Sequence, residues 1–210
     1  MGFLLVFDMD GTLIDSEQSI VRCFRESAGK FGYEVGEVSK FIGVLKLTQI
    51  LKRIGVSEKD SPEIMKHYVD CYFNTFANDT RPIENSPDVL GKLQERHELG
   101  ILTLKYFNLT LEITRRFFPS VDFKYVVCGD KPIENKVEGL KIIIERSGKN
   151  PKDIFYIGDR AGDVKSANEV GMGAVWVSFG LGKTSDFDFK ANYLTADRFE
   201  DLLKLFSYRT

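Results

Sequence analysis

Short apolar runs alternate with segments of helical periodicity along most of this chain. The runs span residues 3–7, 100–104, 124–128, 154–157 and 173–177. Such runs are typical of strands that are buried on both faces of a sheet. Helical periodicity is found at residues 87–97, 109–118, 137–147, 162–171 and 197–206. Strands that alternate with helices predict an α/β fold with a doubly wound parallel sheet.

The interval between residues 16 and 80 breaks this alternation, because it contains helical patterns and no convincing buried strand. One of its helices opens with Ser61-Pro62-Glu63 and carries a wide stripe of aromatic residues. The stripe is either the wall of a ligand cavity or the core of a small helical bundle, and the bundle is the commoner case. We expect an all-helical cap domain at residues 16–80, inserted into a catalytic core of residues 1–15 and 81–210.

The composition is that of an ordinary globular protein, and it argues against some classes of partner. The chain has 210 residues, of which 43% are hydrophobic and 29% are charged, and its formal net charge is −2. The interval 16–80 holds nine basic and nine acidic residues. We therefore expect no nucleic-acid partner. No apolar stretch approaches the roughly 20 residues that a membrane-spanning helix needs, so no membrane partner is expected either.

The cysteines and histidines give little sign of chemistry. Cys23, Cys71 and Cys128 are widely spaced and odd in number, which predicts reduced, packed thiols and a cytoplasmic protein. The first strand begins near residue 3, so we expect no signal peptide. His67 and His97 both fall in predicted helices, where packing explains them better than metal binding does.

Chemically active side chains recur at the ends of the predicted strands. They are Asp8 and Asp10 after the first strand, Thr103 and Lys105 at the second, Asp159 and Asp163 after the fourth, and Lys131 and Lys136 between the third strand and the next helix. The carboxyl ends of parallel strands meet at one edge of a sheet, which is where open α/β sheets bind ligands. The sequence therefore predicts that these groups converge on one site.

Such a set of groups favours phosphoryl transfer. Clustered carboxylates suit Mg²⁺, and Mg²⁺ beside a lysine suits a phosphoryl group. Asp8 could attack phosphorus, while Asp10 protonates the leaving oxygen and then activates water. Thr103 can donate a hydrogen bond to the phosphoryl oxygens. Each acid could instead cap a helix or a turn, but that explanation weakens when so many converge.

Three stretches of the sequence resemble the signatures of haloacid dehalogenase-like hydrolases. They are "DMDGTLIDS" at 8–16, "ILTLK" at 101–105 and "GDRAGD" at 158–163. The resemblance implies that Asp8 is the nucleophile and Asp10 the general acid and base. It also implies that Asp8, the main-chain carbonyl of Asp10 and Asp159 hold Mg²⁺, with Asp163 supporting them.

The helices at 16–80 resemble the cap of the phosphoglycolate phosphatase and β-phosphoglucomutase branch of this family. Gly11 and Thr12 of the first signature are expected to contact the substrate. The dehalogenases of the family lack an acid at the position of Asp10, so its presence implies phosphoryl transfer.

The second and third signatures depart from the usual pattern of the branch. Leu104 stands where related phosphatases often have asparagine, although its backbone N–H can still contact phosphate. The third signature usually reads Lys-Pro-x-Pro, whereas Lys131-Pro132 here lacks the second proline. We expect Lys136, which stands directly before a helix, to contact phosphate rather than Lys131. Lys105 is a further predicted substrate contact.

The stretch "FIGVLKLTQIL" at 41–51 resembles the cap loop that faces the active site in this branch. Gly43 would allow a close approach, and Lys46 could reach an anionic substrate. Gly43 could equally end a helix, and Lys46 could be a solvated surface charge.

The sequence therefore predicts a Mg²⁺-dependent phosphatase for a small phosphorylated metabolite, such as a phosphoglycolate-like compound or a sugar phosphate. A phosphomutase would use the same acids, and nothing in the sequence separates the two. A receiver-like signalling module also uses acids, a threonine, a lysine and Mg²⁺, but it needs no large insertion. An inactive binding protein would be expected to lack some of these acids. We expect a monomer or a homodimer.

Overall fold

The computed structural model describes residues 2–130, 133–187 and 191–207, and it contains a parallel sheet of six strands. Its strands are β1 (Leu4–Phe7), β4 (Glu98–Leu102), β5 (Phe123–Val127), β6 (Ile154–Gly158), β7 (Gly173–Val177) and β8 (Leu194–Ala196). The order across the sheet is β5-β4-β1-β6-β7-β8. The predicted α/β class and parallel sheet are confirmed.

Strand β1 lies in the middle of the sheet, which explains its uninterrupted apolar sequence. All four of its side chains are fully buried. It pairs in parallel with β4 on one side and with β6 on the other, so that Phe7 is level with Ile101 and Ile157. The residues that follow these three strands therefore leave the sheet side by side.

Helices cover both faces of the sheet and pack on two apolar clusters. The helices are α1 (Glu17–Gly29), α2 (Leu47–Arg53), α3 (Ser61–Asp79), α4 (Ser86–Leu93), α5 (Phe107–Phe117), α6 (Lys136–Ser147), α7 (Ala161–Glu169) and α8 (Asp201–Ser207). Side chains of α6 and α7 belong to one cluster, and side chains of the other helices belong to the other. This arrangement is the doubly wound architecture that the alternating pattern predicts.

Residues 16–80, called the helical insertion from here on, contain α1, α2, α3 and a 3₁₀ turn, with no strand assigned. The chain enters and leaves through a short antiparallel pair, β2 (Ile14–Asp15) with β3 (Arg81–Pro82). The aromatic stripe of α3 packs against α1, where the rings of Phe24 and Tyr68 lie 4.7 Å apart. The helical insertion shares its apolar cluster with one face of the sheet, so it packs directly on the core.

Several predicted elements are shifted or were missed. The helix predicted at 87–97 ends at Leu93, and His97 lies in a bend rather than in a helix. Nδ1 of His97 accepts a hydrogen bond of 3.1 Å from the backbone N–H of Phe3, and the rings of these two residues stack 5.8 Å apart. Strand β8 was missed because its side chains are partly exposed and give no apolar run. The last helix starts at Asp201 rather than at residue 197.

The prediction that all three cysteines are reduced is wrong. Cys23 on α1 and Cys71 on α3 form a disulfide, with their Cα atoms 5.6 Å apart. They are 48 residues apart in the sequence, and only the packing of the two helices brings them together. Cys128 is a free, buried thiol, as expected.

Candidate active site

The site begins where β1 ends, at Asp8 and the tight turn that follows it. The backbone N–H of Asp8 donates a 2.9 Å hydrogen bond to the carbonyl of Ile157, which fixes Asp8 against the neighbouring strand. Gly11 has a φ of 84°, and a Cβ there would lie 2.6 Å from an Asp159 oxygen. Glycine therefore lets the turn pass close to the end of β6.

Three carboxylates meet at this edge of the sheet. One oxygen each of Asp8, Asp159 and Asp163 lies within 4.8 Å of the others, and all three residues are buried. Backbone N–H groups orient two of them. Leu181 donates to Oδ2 of Asp159 at 2.7 Å, and Arg160 donates to Oδ2 of Asp163 at 2.9 Å. The predicted convergence of these acids is thus present in the structure.

Lys136 is the cation at the centre of this cluster. It is the first residue of α6, whose N-cap Asn135 accepts a 3.0 Å hydrogen bond from the backbone N–H of Glu138. Its Nζ lies 2.9 Å from Oδ2 of Asp8 and 2.5 Å from Oδ1 of Asp163. Lys131, the other candidate for this role, lies outside the described residues.

Burial and like charges shift the protonation of these groups. Burial raises the pKa of Asp8 well above its usual value, and Asp163 and Asp159 raise it further, although Lys136 opposes them. Burial and Asp163 raise the pKa of Asp159 to about 6. Burial disfavours the charge on Lys136, but Asp163 and Asp8 more than offset it, so its pKa is raised. A further positive charge would stabilise the ionised carboxylates.

The donor set fits a hard divalent cation. Both oxygens of Asp8 are buried; Oδ2 lies 2.9 Å from Nζ of Lys136, and Oδ1 has no hydrogen-bond partner within the described part of the chain. Buried carboxylate oxygens without donors are costly unless a cation compensates them. An all-oxygen set of three carboxylates suits Mg²⁺ better than a soft metal.

The side chain of Asp10 lies apart from this cluster and faces the helical insertion. Its Oδ1 accepts a 2.5 Å hydrogen bond from Ser16 Oγ and lies 3.1 Å from Nζ of Lys105. That Nζ in turn lies 4.3 Å from the centre of the Tyr72 ring. The hydrogen bond and the ion pair of Asp10 both use Oδ1.

The other predicted residues of the core line the same edge. Thr12 Oγ1 donates to Oδ1 of Asp159 at 3.3 Å. Thr103 is buried directly after β4, and its Oγ1 accepts a 3.2 Å hydrogen bond from the backbone N–H of Lys105. The side chain of Leu104 is buried and borders a cavity beside Asp10. Lys105, the other predicted substrate contact, has its Nζ paired with Oδ1 of Asp10. It is therefore not an unpaired cation that awaits a substrate.

Gly43 and Lys46, the two residues predicted in the loop of the helical insertion, have different surroundings. A Cβ on Gly43 would lie 3.4 Å from Oδ2 of Asp8, so this position does face the carboxylates closely. Lys46 is buried, which rules out a solvated surface charge. Its Nζ donates to the carbonyl of Ile133 at 2.8 Å and lies 3.7 Å from Glu134. This contact ties the insertion to the loop before α6.

Three contributors to the site were not singled out from the sequence. Ser16 lies inside the first signature, and its hydrogen bond to Asp10 could have been suspected from that position. Arg160 follows Asp159, and its guanidinium reaches the carbonyls of Leu181 and Ser39 at 3.1 and 2.9 Å. Nε1 of Trp176 donates to the carbonyl of Asp159 at 3.0 Å. The last two contacts join distant segments, and no local pattern signals them.

Comparison with known proteins agrees with this geometry. A family model described as haloacid dehalogenase-like hydrolase matches residues 5–177. A 5′-nucleotidase of Pseudomonas aeruginosa is 26% identical over 188 residues, which cover 87% of this chain and 85% of that protein. A phosphoglycolate phosphatase of Synechococcus elongatus is 28% identical over 181 residues, which cover 84% of each protein.

Among solved structures, CbbY of Rhodobacter sphaeroides in complex with phosphate has the same fold. Its TM-score is 0.85 over 99% of this chain and 100% of that chain, at 16% identity. The matched family covers the strands that carry the acids, and the relatives span nearly the whole chain. The chain therefore belongs to the haloacid dehalogenase-like hydrolases, as its motifs predict.

Proposed function

We propose that the protein is a Mg²⁺-dependent phosphatase that hydrolyses a small phosphorylated metabolite through an aspartyl phosphate on Asp8. The observation that carries this proposal is the buried cluster of Asp8, Asp159, Asp163 and Lys136 at the carboxyl end of β1 and β6. Oδ1 of Asp8 has no partner among the described residues and Oδ2 is paired with Lys136, so the carboxylate can offer one oxygen as a nucleophile and the other as a metal ligand.

The first chemical step is attack by Asp8 on phosphorus. A bond forms between its carboxylate oxygen and phosphorus as the ester P–O bond breaks, and Asp10 donates its proton to the leaving oxygen. Ser16 and Lys105 hold Asp10 by Oδ1, so Oδ2 can carry this proton. Lys136 and the hydroxyl of Thr103 neutralise and orient the phosphoryl oxygens.

The second step is hydrolysis of the aspartyl phosphate. Asp10, now ionised, takes a proton from water, and the resulting hydroxide attacks phosphorus and releases inorganic phosphate and free Asp8. Mg²⁺ would be held by Asp8, Asp159 and the main-chain carbonyl of Asp10, with Asp163 behind them, and would supply charge neutralisation at the phosphoryl oxygens. Residues 16–80 act as a cap that excludes water from the first step.

The experiment that tests this function is phosphate release from a panel of small phosphomonoesters, with Mg²⁺ and with a chelator. We expect phosphate release with Mg²⁺. A chelator should lower the rate of release by about a hundredfold or more, because the carboxylates then repel the phosphate. Release that persists unchanged in chelator would contradict the metal dependence. Isomerisation of a sugar phosphate without net phosphate release would instead identify a phosphomutase.

We propose that the binding partner of this protein is its small-molecule substrate. We expect it to bind neither a nucleic acid nor a membrane. Within the described residues no helix has the length and apolar character to cross a membrane. A cytoplasmic location and a monomeric or homodimeric state stay predictions of the sequence. The disulfide between Cys23 and Cys71 removes one of the arguments for the cytoplasm.

A further inference from the structure

Two charged side chains cross the boundary between the helical insertion and the core. Nη2 of Arg160, in the core, donates a 2.9 Å hydrogen bond to the carbonyl of Ser39 in the insertion. Nζ of Lys46, in the insertion, donates a 2.8 Å hydrogen bond to the carbonyl of Ile133 in the core. Both contacts run from a cation to a main-chain carbonyl, and such hydrogen bonds are stronger than those between neutral groups.

These contacts hold the two ends of one short segment of the insertion, residues 39–46, called the contact loop from here on. Ser39 begins a 3₁₀ turn, and Lys46 directly precedes α2. Between them lies Gly43, where a Cβ would be 3.4 Å from Oδ2 of Asp8. The contact loop therefore reaches the proposed nucleophile, and both of its ends are tied to the core.

Arg160 is also anchored within the core. Its Nη1 donates to the carbonyl of Leu181 at 3.1 Å, and its Nε lies 3.7 Å from Oδ2 of Asp159. The backbone N–H groups of Leu181 and Gly182 donate to that same oxygen at 2.7 and 3.2 Å. One guanidinium thus links the contact loop, a loop of the core and a carboxylate of the cluster, which the planar fork of arginine allows.

The other connections between the insertion and the core do not fix the contact loop in this way. The two parts share an apolar cluster, but apolar contacts are non-directional. The chain itself enters and leaves the insertion through the short pair of β2 and β3. A swing of the insertion about this pair would break both cation contacts, because each of them crosses the boundary.

We propose that Arg160 and Lys46 are positioning residues that latch the contact loop to the core and so keep the insertion closed over Asp8, in the position that the structure shows. Closure matters to the reaction because it keeps water from the first step. The effect on turnover rests on the proposed phosphatase function, whereas the closed position can be measured without a substrate.

The test measures the distance between the insertion and the core with two spin labels and pulsed electron paramagnetic resonance. The labels are attached through Glu58→Cys in the insertion and Glu145→Cys in the core, since both positions are exposed. Cys23 and Cys71 are joined in a disulfide and Cys128 is buried, so the labels attach selectively. We expect one narrow distance when the two latches are intact.

Arg160→Met and Lys46→Met each remove one latch, and the pair is also combined. Each single variant should raise the ratio of open to closed molecules by about tenfold, as expected for the loss of one charge-assisted hydrogen bond. The double variant should raise it by about a hundredfold, because the two contacts are separate. We therefore expect a second, longer distance that becomes the main one in the double variant.

Lys40→Met is the matched control. Lys40 lies in the same contact loop, its side chain is 61% exposed, and it lies 3.9 Å from Glu37 within the insertion. The control removes a positive charge from the loop and leaves both latches in place, so its distance should be that of the wild type. A circular dichroism spectrum of each variant checks the fold.

Phosphate release in the presence of Mg²⁺ provides a second readout. Weaker closure lowers the apparent affinity for the ester before it slows the chemical step. For Lys46→Met we therefore expect KM to rise by about fivefold and kcat to fall by less than about threefold. Lys40→Met should change neither quantity.

The outcomes separate the latches from the function on which their effect rests. An unchanged distance in both single variants and in the double variant would overturn the latches and leave the phosphatase standing. A longer distance in Lys40→Met as well would show a general effect of charge in the contact loop and would also overturn them. A longer distance confined to the latch variants, in a protein that releases no phosphate from any ester, would support the latches and overturn the proposed function.

Discussion

The core edge and the helical insertion face each other across one site, but they contribute different kinds of groups. The core supplies buried charges that backbone contacts and opposite charges hold in place, such as Asp159, Asp163 and Lys136. The insertion supplies mostly apolar side chains, together with the hydroxyls of Ser16 and Tyr68. This difference separates chemistry from selection: changes in the core should slow the reaction for every ester, and changes in the insertion should alter which ester reacts.

The sharpest test of the core's part is Asp8→Asn. We expect kcat to fall by at least about 10⁴-fold for all esters, because an amide cannot form the phosphoenzyme. Phosphate release with Mg²⁺ measures this loss. Substantial remaining turnover would mean that another group is the nucleophile.

The control for Asp8→Asn is its stability, because the variant should lose activity and stay folded. Burial and two neighbouring acids raise the pKa of Asp8, so its charge destabilises the fold when no cation is bound. The neutral amide removes that repulsion. Urea unfolding in chelator should therefore show equal or greater stability for the variant, as is common where function costs stability.

A second test distinguishes Lys136 from Lys131. Replacing Lys136 by methionine keeps an aliphatic stem but leaves Asp8 and Asp163 without their cation, and we expect kcat/KM to fall by about 10²–10³-fold. Lys131→Met should have a clearly smaller effect. The opposite order would place the phosphate-contacting lysine at 131. A circular dichroism spectrum of each variant checks the fold.

The smallest effect on turnover is expected from the disulfide of the helical insertion. Replacing both Cys23 and Cys71 by serine removes a link across 48 residues, and we expect it to lower stability by about 2–4 kcal/mol. The chemical groups of the core are untouched, so kcat should change less than about threefold. Urea unfolding and phosphate release measure the two quantities.

Reductant provides the control for this prediction. It should lower the stability of the wild type towards that of the double variant and leave the variant unchanged. A wild type whose stability is the same with and without reductant would contradict a stabilising disulfide. A large loss of kcat would break the separation between the two regions.

The core was predictable because its signals are local. The apolar runs include or closely precede Asp8, Thr103 and Asp159, which directly follow β1, β4 and β6 in the structure, and a parallel sheet brings strand ends together whatever the loops do. Strand β7 even has the predicted bounds. The preference for Lys136 also rested on local information, since it stands at a helix start.

The insertion was less predictable because its contacts depend on packing between helices. The aromatic stripe of α3 identified a buried face, but it could not show that Tyr68 borders a cavity while Tyr72 lies under Lys105. The cysteine pair was missed for the same reason, since 48 residues separate its members. For Lys46 the sequence allowed two interpretations, a contact to an anionic substrate or a solvated surface charge. Its burial against the carbonyl of Ile133 is evident only from the structure.

The hydrogen bond from Trp176 to the carbonyl of Asp159 has a spectroscopic consequence. The chain has a single tryptophan, so its tryptophan fluorescence comes from one indole. Nε1 of this indole lies 3.0 Å from the main-chain oxygen of Asp159, whose carboxylate belongs to the cluster. Indole emission responds to the local electric field, and a cation arriving beside Asp159 changes that field. The protein therefore carries an internal fluorophore beside its carboxylate cluster, and this indole would report the proposed binding of Mg²⁺ without a label or a substrate.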